Sequence, residues 1–112
     1  MRLVEELLKE TIARFNKKVA EDPKLAAELK GIRKMIQVEV TDGNTYHLLL
    51  DNARVGDLGN GAVENPDIRI VASSETITQL RSGELRPMKA YATRKLQVKG
   101  SIEDLLRLRK FF

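Results

Sequence analysis

The side chains able to do chemistry are few in this chain of 112 residues, and they do not converge. His47 is the single histidine, which leaves one candidate general base near neutral pH and no imidazole pair for a metal. It stands in "TYHLLLD" on the face opposite Tyr46, Leu48 and Leu50, so a solvent-facing or edge position is expected. The chain has no cysteine, which removes thiolate nucleophiles, thiolate metal sites and disulfides. "GDLGNG" at residues 56–61 has the glycine density of a phosphate-cradling loop, but a helix N-terminus must follow such a loop. Here "AVENPD" leads into a strand instead, and a plain turn is expected. Asp42, Asp51, Asp57 and Asp67 fall at turns and strand ends without the ligand spacing of a calcium loop, and read as turn formers. Nucleophile-elbow, phosphate-loop and H-E-x-x-H motifs are absent. An enzyme is therefore the weakest functional class, and neither a metal nor a cofactor is expected.

Two other residue sets stand out. The late segments carry many apolar side chains: Ile77, Leu80, Leu85, Met88, Tyr91, Ile102, Leu105, Leu106, Leu108, Phe111 and Phe112. Periodicity alone leaves open whether these fill a core or line a cavity, because both use the same residue types. The second set is basic. Residues 81–112 hold nine Lys/Arg and three Asp/Glu, a net of +6, against −2 for residues 1–80. That asymmetry fits a solvated face, or an anionic partner such as lipid headgroups or nucleic acid. A single-strand platform needs exposed aromatics among its basic residues, and this third has only Tyr91, Phe111 and Phe112. No helix-turn-helix pattern is apparent either.

The elements that position these residues follow from hydrophobic spacing and caps. Val4, Leu7, Leu8, Ile12, Phe15 and Val19 recur at helical spacing, which predicts an amphipathic helix of about five turns. Asp22-Pro23 opens a second short helix that Gly31 closes. The period then changes to two, with Ile36, Val38 and Val40 on one face; Lys34 and Met35 are out of phase and suggest a strand starting at Ile36. "TDGN" makes a hairpin to the strand of Tyr46, Leu48 and Leu50. A weak third strand is expected around residues 54–58, a loop through "GNGAVENP", and a fourth strand from Asp67 to Ala72. Ser73 or Ser74 caps the next helix, Gly83 ends it, and Pro87 opens a short one. Leu96 and Val98 mark a fifth strand, Gly100 turns the chain, and Ser101 with Asp104 resembles a capping box for a last helix. Hairpin strands flanked by grouped helices predict an α+β layer fold.

Bulk properties agree with one domain over residues 1–112. Apolar residues are 42% and charged residues 32%, a globular composition. No apolar run approaches the ~20 residues of a spanning helix, and the acidic residues in "MRLVEELLKETIARF" interrupt a signal-peptide pattern. Together with the missing cysteines, this leads to the expectation of a cytoplasmic protein.

The stretch "NPDIRIVASSETITQLRSGELRPMKAYATRKLQVKGSIEDLLRL", Asn65 to Leu108, resembles the sterol carrier protein type-2 family of lipid-binding domains. The resemblance rests on Asp67, Ser73, Ser74, Leu80, Gly83, Leu85, Pro87, Ala90, Leu96, Val98, Gly100 and the Leu105–Leu108 segment. The first helix, "TDGN" and "YHLLLD" fall where the family has their counterparts, so nearly the whole chain is covered. Two positions depart: Arg94 stands where the family commonly has Gly before the last strand, and Ser101 where it commonly has an acidic residue.

What the resemblance implies is a five-stranded, mainly antiparallel sheet with helices on one face enclosing an apolar tunnel. Such a domain binds and transfers a sterol, isoprenoid, fatty acid, fatty acyl thioester or phospholipid without covalent chemistry. The lipid contacts expected here are Ile77, Leu80, Leu85, Met88, Tyr91, Leu105, Leu108, Phe111 and Phe112, with the last helix and "RKFF" as a cover. Arg86, Lys89, Arg94, Arg107, Arg109 and Lys110 are expected to meet headgroups or an anionic membrane transiently. The chain ends "RKFF" rather than in a Ser-Lys-Leu-like peroxisomal address, which favours a prokaryotic or cytosolic setting. The alternatives are an accessory or dimerising module that presents an isoprenoid-quinone-like intermediate to partner enzymes, and, below it, a nucleic-acid binder.

Overall fold

The structure, a computed structural model, describes residues 3–109, with side chains for residues 3–107. Its first helix, α1 (Val4–Glu21), turns Leu7 and Val19 inward and packs Val4, Leu8, Ile12 and Phe15 against the core. Asp22 then caps α2 (Pro23–Leu29) by accepting from the N–H groups of Lys24 and Leu25, both at 3.1 Å. Beyond α2, Gly31 takes φ +76°, the left-handed conformation that lets the chain reverse into the sheet.

Six strands follow: β1 (Arg33–Val40), β2 (Thr45–Asp51), β3 (Arg54–Val55), β4 (Gly59–Asn60), β5 (Ile68–Ala72) and β6 (Leu96–Lys99). The sheet order is β3-β2-β1-β5-β6, with β4 also pairing to β2. All pairings are antiparallel except β1 with β5, so the sheet is mainly antiparallel as expected. The fold class is the expected α+β, with one more short strand than the five anticipated. Register places Tyr46 opposite Val38, Val38 beside Ile70, and Ile70 opposite Val98, a continuous apolar row on one face. Helices cover that face, and Val19, Leu25 and Leu29 meet Ile36, Val38, Val40, Tyr46 and Leu50 in the main core. The opposite face is polar at its centre, where Arg69 pairs with Glu39 at 2.6 Å.

Three boundaries differ from the sequence expectation. β1 begins at Arg33 rather than Ile36: Lys34 does point to the covered face, but Asp104 neutralises it at 3.3 Å. The third strand stops at Val55, where Asn16 of α1 donates to the Val55 carbonyl and accepts from its N–H, each at 2.8 Å. The glycine-rich loop contributes β4, whose Gly59 lies under the His47 ring; a Cβ there would come 2.2 Å from Nε2. This glycine therefore serves close approach of backbone to side chain.

After β5, α3 (Ser74–Ser82) is capped by Ser73, whose Oγ accepts from Thr76 N–H, and closed by Gly83 at φ +86°. It lies against α1, with Arg81 reaching Glu10 at 3.8 Å. α4 (Pro87–Ala92) leads to β6, and α5 (Ile102–Arg109) closes the described chain.

Candidate functional site

Four of the five polar candidates have structural tasks, and the fifth, Asp57, is exposed. His47 Nδ1 lies 2.9 Å from the Gly61 carbonyl and pins the β4 loop on the polar face, partly covered rather than fully open. Asp67 accepts from Met35 N–H at 2.7 Å, locking the start of β5 to β1, and Asp51 pairs with Arg33 at 3.9 Å. Asp42 accepts from both the hydroxyl and the N–H of Ser74, tying the β1–β2 turn to the start of α3. Those bonds, the hydroxyl first, hold its carboxyl below the ordinary aspartate range. Among the described residues no group of three His, Cys, Asp or Glu side chains could hold a metal ion.

The apolar candidates divide sharply. A second, smaller core gathers Ala72, Leu85, Ala90 and Leu96, with Ile70, Ile77, Leu80 and Val98 packed against it. Ile70, Ile77, Leu80 and Val98 face the covered side of the sheet yet stay partly accessible. An apolar seam therefore runs between α3 and the β5–β6 edge, and it contains the expected Ile77, Leu80 and Leu85. Leu105 is also half-buried, on α5.

Met88 and Tyr91 do not enter this seam. They are 56% and 50% exposed, while Ala90 between them is fully buried on the inner side of α4. The cations near them, Arg86, Lys89, Arg94 and Lys95, are all exposed, and among the described residues none makes an ion pair. Arg107 differs, because it donates to Asp104 at 2.8 Å.

α5 is turned against its own pattern. Its deeply buried side chain is Asp104, 3% exposed and shared by Lys34 and Arg107, while Ile102 and Leu106 are 77% and 57% exposed. Ser101 does cap this helix, its Oγ accepting from Asp104 N–H at 3.1 Å. The Asp104 carboxylate does not complete the box; it is recruited by the two cations. Phe111, Phe112 and Lys110 lie outside the described residues, as do the side chains of Leu108 and Arg109.

A cavity of about 250 Å³ sits elsewhere, at the tip of the β1–β2 hairpin, half open to solvent. Leu3, Val4, Val40 and Tyr46 line it together with the polar Asp42, Asn44 and Ser74. None of the expected lipid contacts among the described residues borders it, and it falls short of the ~300–1,000 Å³ usual for small-molecule sites.

The described residues thus form a sheet covered on one face by helices, with an aliphatic interior and no group of side chains able to hold a metal ion. Residues 12–112 match the model of the SCP-2 sterol transfer family, and the chain belongs to that family. Several solved structures share the fold. The UbiJ-SCP2 ubiquinone synthesis protein is 18% identical, with 96% of this chain and 90% of that one covered and a TM-score of 0.61. Palmitated SCP2L2 from Aedes aegypti is 17% identical, with 89% and 88% covered and a TM-score of 0.63. Sterol carrier protein domain 2 of Helicoverpa armigera is 20% identical, with 91% and 82% covered and a TM-score of 0.62. A search of curated protein sequences gave no match.

Proposed function

We propose that this chain binds and transfers an apolar lipid, a sterol, isoprenoid, fatty acid or fatty acyl thioester, without covalent chemistry. The observation that carries the reading is the partly accessible aliphatic seam of Ile70, Ile77, Leu80 and Val98 in a member of this family. Cargo enters between α3 and the β5–β6 edge, prising the seam into a tunnel, with Leu85 at its inner end and Leu105 of α5 against the tail. Each buried methylene contributes ~0.8 kcal/mol, so a tail of about sixteen carbons offers roughly 10 kcal/mol before ordering costs, which leaves micromolar binding. An aliphatic wall separates homologous tails by only ~1–3 kcal/mol per methylene, so broad ligand tolerance follows.

The working compartment in this reading is the cytoplasm; no described helix is long and apolar enough to cross a membrane. A second reading draws on the similarity to a ubiquinone synthesis protein along 96% of this chain. In it the same seam holds an isoprenoid-quinone-like intermediate for partner enzymes.

Native mass spectrometry of protein purified from its own host decides between them. A co-purifying fatty acid or sterol mass supports the carrier, and a polyisoprenoid quinone mass supports the second reading. Protein that is consistently free of lipid and takes up no fluorescent fatty acid overturns both.

A further inference from the structure

We propose that α4 is a docking element for an anionic membrane surface, carrying Met88 and Tyr91 into the headgroup boundary among exposed cations that have no ion pair within the described residues. The inference rests on the lipid-binding reading for its purpose, since it places the seam at the source and destination of cargo.

α4 has two sides with different partners. Its inner side is Ala90, buried in the same small core as Leu85 and Leu96, beside the seam. Its outer side presents Met88 and Tyr91, half exposed, and nothing in the described fold covers them. A flexible thioether and a phenol suit an interface that is apolar on one side and wet on the other. Around them stand Arg86, Lys89, Arg94 and Lys95, with no acidic residue between Leu85 and Lys95. Other exposed cations, such as Lys17, Lys24 and Lys99, also lack a carboxylate partner among the described residues; what distinguishes these four is that they flank two exposed apolar side chains. Apolar side chains on one helix face, ringed by cations, make an interfacial anchor, and the cation stems can lie along the apolar surface.

The helix end supplies an independent observation. Lys95 N–H bonds to the Ala90 carbonyl at 2.9 Å and Arg94 N–H to the Tyr91 carbonyl at 3.1 Å. Those two bonds form a Schellman ending, in which glycine normally takes the left-handed position. Here Arg94 takes it, at φ +62°. Glycine would make both backbone bonds without strain, so the arginine is held at a conformational cost and adds a cation beside Tyr91. The ligand chemistry that uses this is negative charge spread beside an apolar layer. Nucleic acid fits less well, because a strand platform stacks bases on several aromatics and α4 offers one.

The test is co-sedimentation with vesicles of phosphatidylcholine alone or mixed with phosphatidylglycerol, across a salt series, with melting temperature measured on every variant. The wild-type chain should bind mixed vesicles only, and less as salt rises. Arg94→Gly should melt higher yet bind mixed vesicles about fivefold less tightly, the worth of one cation near a charged bilayer. Met88→Ser with Tyr91→Ser should lower binding at low salt, whereas Lys17→Ala, removing an exposed cation of α1, should not. Mixed-vesicle binding that ignores Arg94→Gly, or that Lys17→Ala lowers equally, overturns the assignment. So does an oligonucleotide held through Lys89 and Arg94 by a chain that ignores vesicles. Uptake of a fluorescent fatty acid without vesicles separates the two readings: uptake with no vesicle binding removes only the docking surface, and vesicle binding with no lipid uptake removes the cargo reading.

Discussion

At the scale of the residue, backbone conformation and a few short bonds carry most of the specificity. Asn52 and Ala53 form the two-residue turn between β2 and β3, both with positive φ, at 50° and 68°. Asn52 is at home there, and its Oδ1 accepts from Gly31 N–H at 3.0 Å. Ala53 is strained, and Ala53→Gly should stabilise the fold by about 0.5–1 kcal/mol, read as a higher urea midpoint with unchanged slope. Asp42 gives a pH dependence. Its folded carboxyl titrates below the ordinary value of 3.8, so the unfolded chain binds the extra proton. The stability it contributes is complete above 3.8 and is lost as pH falls through the lowered folded value. Wild type should therefore exceed Asp42→Asn in urea melts at pH 7, and the gap should close as the pH is taken well below that value. His47 reads in the sequence as an ordinary strand residue, and its ring hydrogen bond to the β4 loop was illegible there because Gly61 is placed by folding.

At the scale of the element, the caps were legible and the orientations were not. Asp22, Ser73, Ser101, Gly31 and Gly83 act where the sequence places them, since capping is settled within a few residues. α5 is the counter-case. Its Ile102–Leu106 stripe suggests an inward face, yet Asp104 is the side chain that enters the body, drawn by Lys34 from β1. Asp104→Ala would leave Lys34 half-buried without its partner and should destabilise α5 by about 1–3 kcal/mol. Amide hydrogen exchange across residues 102–109 should accelerate, while β1 and β5 keep their protection. Equal acceleration throughout would mean that α5 is part of the global folding unit rather than separately anchored.

At the scale of the molecule, the aliphatic interior comprises a main core and a smaller one at the β5–β6 edge, joined by Ile70, Ile77 and Val98, which pack against both. Cargo that enters the second should stabilise the whole chain by mass action, about 2.7 kcal/mol at a ligand concentration of 100 times Kd. A fatty acid titration should thus raise the melting temperature progressively. Leu80→Asp, which puts a charge into the seam, should abolish that rise more completely than it lowers the melting temperature of the free chain. A rise that survives Leu80→Asp would place the cargo elsewhere, with the hairpin-tip cavity the next site to probe.

The sequence by itself determined the order of helices and strands apart from β4, the hairpin at "TDGN", the caps, the α+β class and the family resemblance, because each depends on spacing within a few residues or on an ordered series of them. It also marked Arg94 as a departure, although not as a residue in the left-handed conformation. Only the tertiary structure decided that β1 and β5 run parallel, that Asp104 is buried between two cations, and that Met88 and Tyr91 look outward while Ile77, Leu80 and Leu85 look in. Periodicity reports which side chains share a face. What that face meets depends on chain segments far away in sequence, and their docking is settled by the packing of the whole molecule.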